Sequence, residues 1–434
     1  MILDIIKIEK DGDRYVLFNK RGMVLELTQE EYHIFRAHAN KKQFPRAHRE
    51  FFNRLCCYEM TSFEGYIPRK VPTEYSQALL IHDSEEPAFR SPIVAHLGVT
   101  SACNMRCKYC SIRQPYAKAK ELSTTEWKRI IDKLAHLGVF QIGLTGGEPT
   151  LRKDLIELAE YITSRRCAFN LTTNGWALDR DLIVRLKQAG MRQCQVSLDC
   201  HLPTINDRLR GDGACLRAIR AVRLLRDEGI AVGIDCVVSK NNLSHLEEFV
   251  AWLNAERIPY LTLIKIKQGD LPLADFKSML PEYHSYCTLI EKLCNRTNEM
   301  PCVTLDCGSV SNLERVLRPQ EAKAVPIAGC PVGHTLLSIS PDGSVFPCVA
   351  MGAHRYCLGN AKDTDLRSMW NENILLRSLR KMKSKIEGQC KECERLDHCR
   401  GGCRGIAESL CGGLWKSDET CGYGTGRESN TQKR

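Results

Sequence analysis

Short apolar runs alternate with amphipathic, helix-length stretches from Val94 to about Ile266. The strand-like runs read VAHLGVT (94–100), FQIGLTG (140–146), AFNLTTNG (168–175), QCQVSLD (193–199), IAVGIDCVV (230–238) and YLTLIKI (260–266). The segments between them carry a helical period. TTEWKRIIDKLAHLG follows a Ser123/Glu126 capping box; helices begin near Lys153 and Asp179; ACLRAIRAVRLLRDEG comes next; a last one is capped by Ser244 and Glu247. Six strand–helix alternations predict a parallel sheet. Six units fall short of the eight of a closed barrel. The predicted class is therefore α/β, a partial (β/α)6 TIM-like barrel open on one side, with a doubly wound open sheet as the competing arrangement.

The flanks follow other patterns. Residues 1–80 begin with LDIIKI, RYVLFN and MVLEL, broken at Asp11-Gly12-Asp13 and Lys20-Arg21-Gly22. Thr28 and Glu31 form a capping box for the helix TQEEYHIFRAHA, and a second helix, PRAHREFFNRLCCYEM, starts after Pro45. Strands followed by helices predict a winged-helix-like unit, with 68–77 as linker. The barrel is expected over 90–270 and a bridging region over 271–329. A loop-rich domain follows over 330–425, its one regular element a basic helix near 366–386. The tail GRESNTQKR reads as disordered.

Composition narrows the partners. Lys plus Arg exceeds Asp plus Glu by 62 − 52 = 10. The excess is spread thinly, densest in LLRSLRKMKSKI (375–386), and lacks the sharp basic patch of a nucleic-acid binder. No apolar run reaches a membrane span, and MILDIIKIEKDGDR turns charged too early for a signal peptide. The expected location is cytoplasmic. The 23 cysteines stand out. Disulfide frameworks belong to small secreted chains, whereas clustered spacings in a large cytosolic chain point to metal.

The first cluster is TSACNMRCKYC, with Cys103, Cys107 and Cys110 spaced C-x3-C-x2-C directly after the first barrel strand. A structural zinc site wants a fourth ligand nearby, and His96 should point from within its strand. Three thiolates can instead hold a [4Fe–4S] cluster with one iron left open. With an aromatic, Tyr109, before the third cysteine, the stretch resembles the signature of the radical S-adenosylmethionine (SAM) superfamily. That resemblance covers about 94–266. It implies that the open iron binds SAM, which one electron cleaves to methionine and a 5′-deoxyadenosyl radical. LTGGEPT (144–150) after the second strand resembles the superfamily's GGE motif. Gly146 and Gly147 would let the backbone approach a ligand, Glu148 would meet the methionyl ammonium, and Pro149 follows. TTNG (172–175) and SLD (197–199) look like the ribose and carboxylate contacts, through Asn174, Ser197 and Asp199, with Arg210 helping to hold the carboxylate.

The later cysteines run Cys330-x12-Gly343-x4-Cys348, then Cys390-x2-Cys393-x5-Cys399-x3-Cys403, then Cys421. Two zinc ribbons are the alternative. The spacing resembles the SPASM domain, the twin-cluster extension of radical SAM enzymes that modify peptides and proteins. The resemblance implies one auxiliary cluster on Cys330, Cys348 and Cys403 and another on Cys390, Cys393, Cys399 and Cys421. Cys307, or else Cys302, would complete the first, giving three [4Fe–4S] clusters in all. Cys167, Cys194, Cys215 and Cys236 read as small core residues.

The front unit resembles, in element order and length, the precursor-recognition element of maturases that act on ribosomally made peptides. It implies that a leader peptide adds as an extra strand beside MVLEL. The expected function is a radical SAM peptide maturase forming a thioether or carbon–carbon crosslink. Its expected partners are a precursor peptide and a low-potential donor such as flavodoxin or ferredoxin, and neither nucleic acid nor membrane. The alternatives are an anaerobic sulfatase maturase making formylglycine, a redox-neutral epimerase, or a non-catalytic metal-containing winged-helix regulator.

Overall fold

The computed structural model describes residues 2–3, 5–11, 14–19, 24–38, 61–62, 91–110, 120–268, 271–294, 302–305, 330–352, 354–393 and 396–421. The expected helix after Pro45, the linker, Cys307 and the tail lie outside them.

In the front unit β1 (Ile2–Leu3) precedes β2 (Ile5–Asp11), β3 (Arg14–Asn19) and β4 (Val24–Thr28), and β5 (Thr61–Ser62) pairs back with β1. The strands β2, β3 and β4 form an antiparallel sheet in that order, so β4 is an edge among the described residues. A helix over Gln29–His38 starts with the expected capping box. The Thr28 hydroxyl accepts from Glu31 N at 3.2 Å, and Glu31 accepts from Thr28 N at 2.9 Å. Its inner face carries Tyr32 and Phe35. Tyr32 stacks on Tyr15 at 3.6 Å between ring centroids, and Phe35 is buried, as are Leu17 and Leu27.

All six expected barrel strands form. They are β6 (Val94–Thr100), β7 (Gln141–Gly146), β8 (Ala168–Thr173), β9 (Gln193–Ser197), β10 (Ala231–Val238) and β11 (Tyr260–Lys265), parallel and in chain order. Their buried residues, such as Ala95, Leu97 and Val99 of β6, pack under helices at Thr124–Leu137, Leu155–Ser164, Arg180–Gln188, Ala214–Asp227 and Leu246–Ala255. The alternate positions line the inside of the curved sheet. There Gly143 leaves room for its neighbours: a Cβ on it would lie 3.0 Å from His96 Cδ2 and 3.3 Å from Asn170 Oδ1.

The sheet is open and extends beyond six strands on both sides. On one side β12 (Cys302–Leu305) adds parallel to β11. On the other, β13 (Leu336–Ile339) adds parallel to β6, followed by antiparallel β14 (Ser344–Phe346) and β15 (Gly359–Asn360). The C-terminal region thus shares the barrel's own sheet instead of standing as loops beside it, and Leu337 and Ile339 belong to the same core as Leu97.

Two local expectations are corrected. The basic helix near 366–386 is two short helices, Leu366–Glu372 and Ile374–Arg380, because Asn373 leaves helical geometry and its side chain caps Leu375 and Leu376. Ser244 caps nothing: a 3-10 turn over Leu243–His245 leads into Leu246–Ala255, and that helix has no side-chain cap. Cys167, Cys194, Cys215 and Cys236 are core residues, each at most 5% exposed. Among the described residues no helix is long and apolar enough to cross a membrane.

Candidate iron–sulfur and SAM site

The cysteine loop leaves the C-terminal end of β6 and is held from both sides. Glu121 accepts from the Thr100 hydroxyl at 3.0 Å, Ser101 N at 2.7 Å and the Ser101 hydroxyl at 2.6 Å. Arg152 donates to Val99 O at 2.7 Å and pairs with Asp154. Lys108 N donates to Leu209 O at 2.8 Å. Cys103 is exposed, and Cys107 and Cys110 are half-buried. Burial pushes the Cys107 thiol up to about 11; Arg210 opposes the rise, while Cys110 and Cys103 add to it. Three thiols gathered on one loop are a donor set suited to a cationic centre. Among the described residues no three His, Cys, Asp or Glu side chains converge on a single ion. A four-iron cluster needs wider spacing, because each thiolate caps a different iron.

The GGEP turn sits against this loop. Gly147 N donates to Thr100 O at 2.7 Å and Glu148 N to Ala102 O at 2.8 Å. A Cβ on Gly146 would lie 2.4 Å from Thr100 O, and one on Gly147 2.2 Å from Ala102 O. Gly146 also has φ +134°, a region favouring glycine. The two glycines therefore admit the cysteine loop's backbone. The Glu148 side chain turns inward, 1% exposed. It accepts from Thr150 N and the Thr150 hydroxyl, from the Thr173 hydroxyl at 2.7 Å, and from Asn174 N at 2.7 Å. Burial raises its pKa, and those hydrogen bonds oppose the rise. Pro149, which opens the next turn, is buried.

Asn174 ties the ends of the first and third barrel strands. Its Nδ2 donates to Asn104 Oδ1 at 2.8 Å and its Oδ1 accepts from Trp176 N at 2.9 Å. Ser197 ends β9 on the inner face, half-buried, in register with Asp235. Asp199 is wholly buried and pairs with Arg210 through Nε and Nη2, both at 2.8 Å. The Tyr109 hydroxyl donates to the same carboxylate, as does Val237 N at 2.9 Å. Burial holds the Tyr109 phenol well above its ordinary range, with Arg210 opposing and Asp199 reinforcing. Asp199, Arg210 and Tyr109 thus form a closed network that anchors the cysteine loop, with the Arg210 guanidinium 5.5 Å from the Tyr109 ring centroid.

In the C-terminal region, burial raises the Cys348 thiol, and Cys330 and Cys403 lie near enough to add to the rise. Asp418, 1% exposed, ties the rest: its carboxylate accepts from Cys403 N at 3.2 Å and Thr420 N at 2.9 Å, and its carbonyl from Cys421 N at 2.9 Å. Cys390 N donates to the Ser417 hydroxyl at 2.9 Å and Cys393 N to Cys390 O at 3.2 Å. Cys399 and Cys421 are buried. Cys302 sits on β12, and Cys307 is outside the described residues. Lys265 at the end of β11 donates to Thr420 O at 3.2 Å, joining barrel to cysteines.

Several residues escaped sequence reasoning. Glu121 and Asp418 are lone acids whose role lies in long-range hydrogen bonds. Asp235 had a visible signal, an acid inside the apolar strand AVGIDCVV. It faces the barrel interior, where burial pushes it up to about 6, opposed by Arg210 and a hydrogen bond from Thr262.

An open parallel barrel carrying three thiols on the loop after its first strand, with a cysteine-rich extension on the same sheet, defines an iron–sulfur protein with a barrel-mouth cofactor site. The family model of the radical SAM superfamily matches residues 97–253, and that of the SPASM iron–sulfur cluster-binding domain matches 330–394. The chain is 30% identical over 359 residues to Fe-coproporphyrin III synthase of Methanosarcina barkeri, covering 76% of this chain and 88% of that protein. It is 29% identical over 320 residues to the mycofactocin maturase MftC of Mycobacterium tuberculosis, covering 73% and 80%. The fold superposes on Streptococcus suis SuiB bound to precursor peptide SuiA with a TM-score of 0.70 at 16% identity, covering 97% of this chain and 99% of that one. The chain belongs to the radical SAM superfamily, in the branch with a SPASM domain, and is an iron–sulfur, SAM-dependent enzyme.

Two outcomes follow from the geometry. Gly147→Ala forces the Cys103 loop off its seat at a cost of about 1–3 kcal/mol. Anaerobically reconstituted protein should then lose iron while its far-ultraviolet circular dichroism is kept. Arg210→Met leaves the Asp199 charge buried and unpaired, a cost of about 3–5 kcal/mol. The double variant Asp199→Asn/Arg210→Met should recover most of that loss in thermal unfolding.

Proposed function

We propose that this enzyme is a maturase of a ribosomally synthesised precursor peptide, crosslinking it through a thioether or carbon–carbon bond. The observation that carries the reading is the front unit. A small sheet in which β4 is an edge among the described residues precedes the barrel, and the likeness to peptide-bound SuiB extends over 97% of the chain. MftC, a maturase by name, adds support. The match to Fe-coproporphyrin III synthase, a tetrapyrrole enzyme by name, spans 76% of the chain.

In this reading Cys103, Cys107 and Cys110 hold one [4Fe–4S] cluster and leave an iron for SAM. Gly146, Gly147, Glu148, Asn174, Ser197, Asp199 and Arg210 shape the SAM site, most of them by fixing its walls. Cys330, Cys348, Cys403 and Cys307 hold a second cluster, and Cys390, Cys393, Cys399 and Cys421 a third. When bound, cluster and SAM supply a 5′-deoxyadenosyl radical able to take hydrogen from an unactivated carbon. The chain's own work is to bind the leader on β4, orient the core peptide at the barrel mouth and exclude water.

Three clusters require about 12 iron and 12 sulfide per chain. Replacing Cys103, Cys107 and Cys110 by Ala should remove one share and abolish SAM cleavage. Zinc at the C-terminal cysteines would overturn the auxiliary assignment.

Glu148→Ala should keep its iron yet bind SAM about ten- to hundredfold more weakly, because Asn174 and Thr173 lose their anchor. Equilibrium binding checks this, and unchanged affinity removes Glu148 from the site.

Deleting residues 1–80 should spare uncoupled SAM cleavage and abolish modification of the full precursor at low peptide concentration. With the intact enzyme, mass spectrometry should find product lighter by two hydrogens per crosslink and inert to aldehyde-capturing hydrazide. A truncated enzyme that modifies the precursor equally well would make the front unit a mere cap and favour the formylglycine reading.

A further inference from the structure

The surface beside the Ile374–Arg380 helix combines features that the reaction above leaves unused. Ile374 is 83% exposed, the most exposed of the large apolar side chains noted among the described residues. It opens, with Leu375 and the half-buried Trp415, onto a groove of about 620 Å³ whose rim includes Lys385. The Lys385 ammonium lies 5.5 Å from the Trp415 ring centroid. An isolated exposed apolar side chain is ordinary, but this one sits in a predominantly basic stretch. Residues 374–386 contain Arg377, Arg380, Lys381, Lys383 and Lys385 and no acid. Arg377, Lys381 and Lys385 are exposed, as is Lys391 just beyond. Burial, with Arg377 adding to it, brings Arg380 down to about 10. Glu387 is drawn off by Lys416, and Glu372 is the acid on the groove rim.

The groove wall is also the support of two cysteines. Glu387 N donates to Trp415 O at 2.8 Å. The Ser417 hydroxyl donates to Glu387 O at 2.8 Å and accepts from Cys390 N at 2.9 Å. Trp415 is thus two residues along the chain from the side chain that holds the Cys390 backbone. A partner seated on Ile374 and Trp415 would rest against the segment that carries Cys390 and Cys393.

The electron balance asks for such a partner. Crosslinking removes two hydrogens from the peptide. One leaves as a hydrogen atom in 5′-deoxyadenosine, after SAM has taken up one electron. The other leaves as a proton together with one electron, which must pass to an acceptor. A small carrier with an acidic face would be steered to a cationic surface, and the apolar centre would give it a contact that excludes water.

We propose that the Ile374–Trp415 groove and its basic rim dock an acidic one-electron carrier protein of the flavodoxin or ferredoxin class, which in its oxidised form accepts that electron beside Cys390 and Cys393. The proposal rests on the assignment of a cluster to Cys390, Cys393, Cys399 and Cys421, and the two can fail separately. Full iron content in a Cys390→Ala/Cys393→Ala variant would end the assignment without any carrier being present.

The test mixes reduced, fully reconstituted enzyme with an oxidised acidic flavodoxin in an anaerobic stopped-flow cell and follows the flavin absorbance. The triple variant Arg377→Glu/Lys381→Glu/Lys385→Glu should slow the second-order transfer by about tenfold or more at low salt and flatten its salt dependence. Ile374→Glu, at a side chain too exposed to disturb the core, should also slow transfer and guards against misfolding of the triple variant. Both should keep wild-type iron content and be reduced normally by a small uncharged photoreductant. Wild-type rates and salt dependence in the two variants would overturn the proposal. So would sedimentation showing that Ile374→Glu splits a dimer while transfer is unchanged, since the groove would then belong to a second copy of this chain.

Discussion

One wholly buried carboxylate fixes where the cysteine loop can be. Asp199 has no access to water, so its charge must be met inside the protein. Arg210 meets it with two parallel hydrogen bonds, and Tyr109 and the backbone of Val237 supply two more. Its own backbone is held as well: Asn206 accepts from its N–H at 3.0 Å, and Asn242 donates to its carbonyl at 2.9 Å. The partners come from the cysteine loop, the helix Pro203–Arg210, strand β10 and the turn after it. None can move without stranding a charge or a buried donor. The thiols beside Tyr109 thereby inherit the rigidity of the barrel.

The same logic recasts the GGEP turn. Its carboxylate looks from sequence like a group offered to a ligand. Folded, it faces inward and gathers donors from the ends of β7 and β8, while its two glycines press against the backbone carrying Cys103. The residues that mark the motif are those that let three strand ends close on one point, and the glycines are required there because a Cβ would collide with a carbonyl oxygen.

The barrel strands were legible because a strand buried under helices must be apolar over a fixed span, and the helices because their faces repeat every three or four residues. The capping boxes at Thr28 and Ser123 were legible because both partners are local. What failed to show was non-local. The run LLSI at β13 is too short to announce itself, and its pairing with β6 spans more than two hundred residues of chain. Asn373 divides a stretch whose helical pattern runs through it, because its carboxamide caps the second helix more favourably than it would continue the first. Ser244 has the capping sequence without the capping geometry, since a tighter turn already leads the chain in. The cysteine sets enter only through the resemblance of their spacing to the SPASM pattern, and Asp418, which joins Cys403 to Cys421, has no local partner to betray it.

A shared sheet then explains how one scaffold can hold distant cysteine sets in fixed relation. Strand β6 leads into Cys103, and its neighbour β13 follows Cys330 by a few residues. At the far side of the barrel, β11 ends in Lys265, bonded to the carbonyl before Cys421. Two residues on, Lys267 is near enough to Cys348 to oppose the rise of its thiol. The cysteine-rich extension is therefore clamped at both flanks of an open barrel. A closed barrel would have no free strand edges to receive it. Leaving the barrel unclosed gives β13 an edge to join and brings the extension's cysteines onto the same rigid body as the opening triplet.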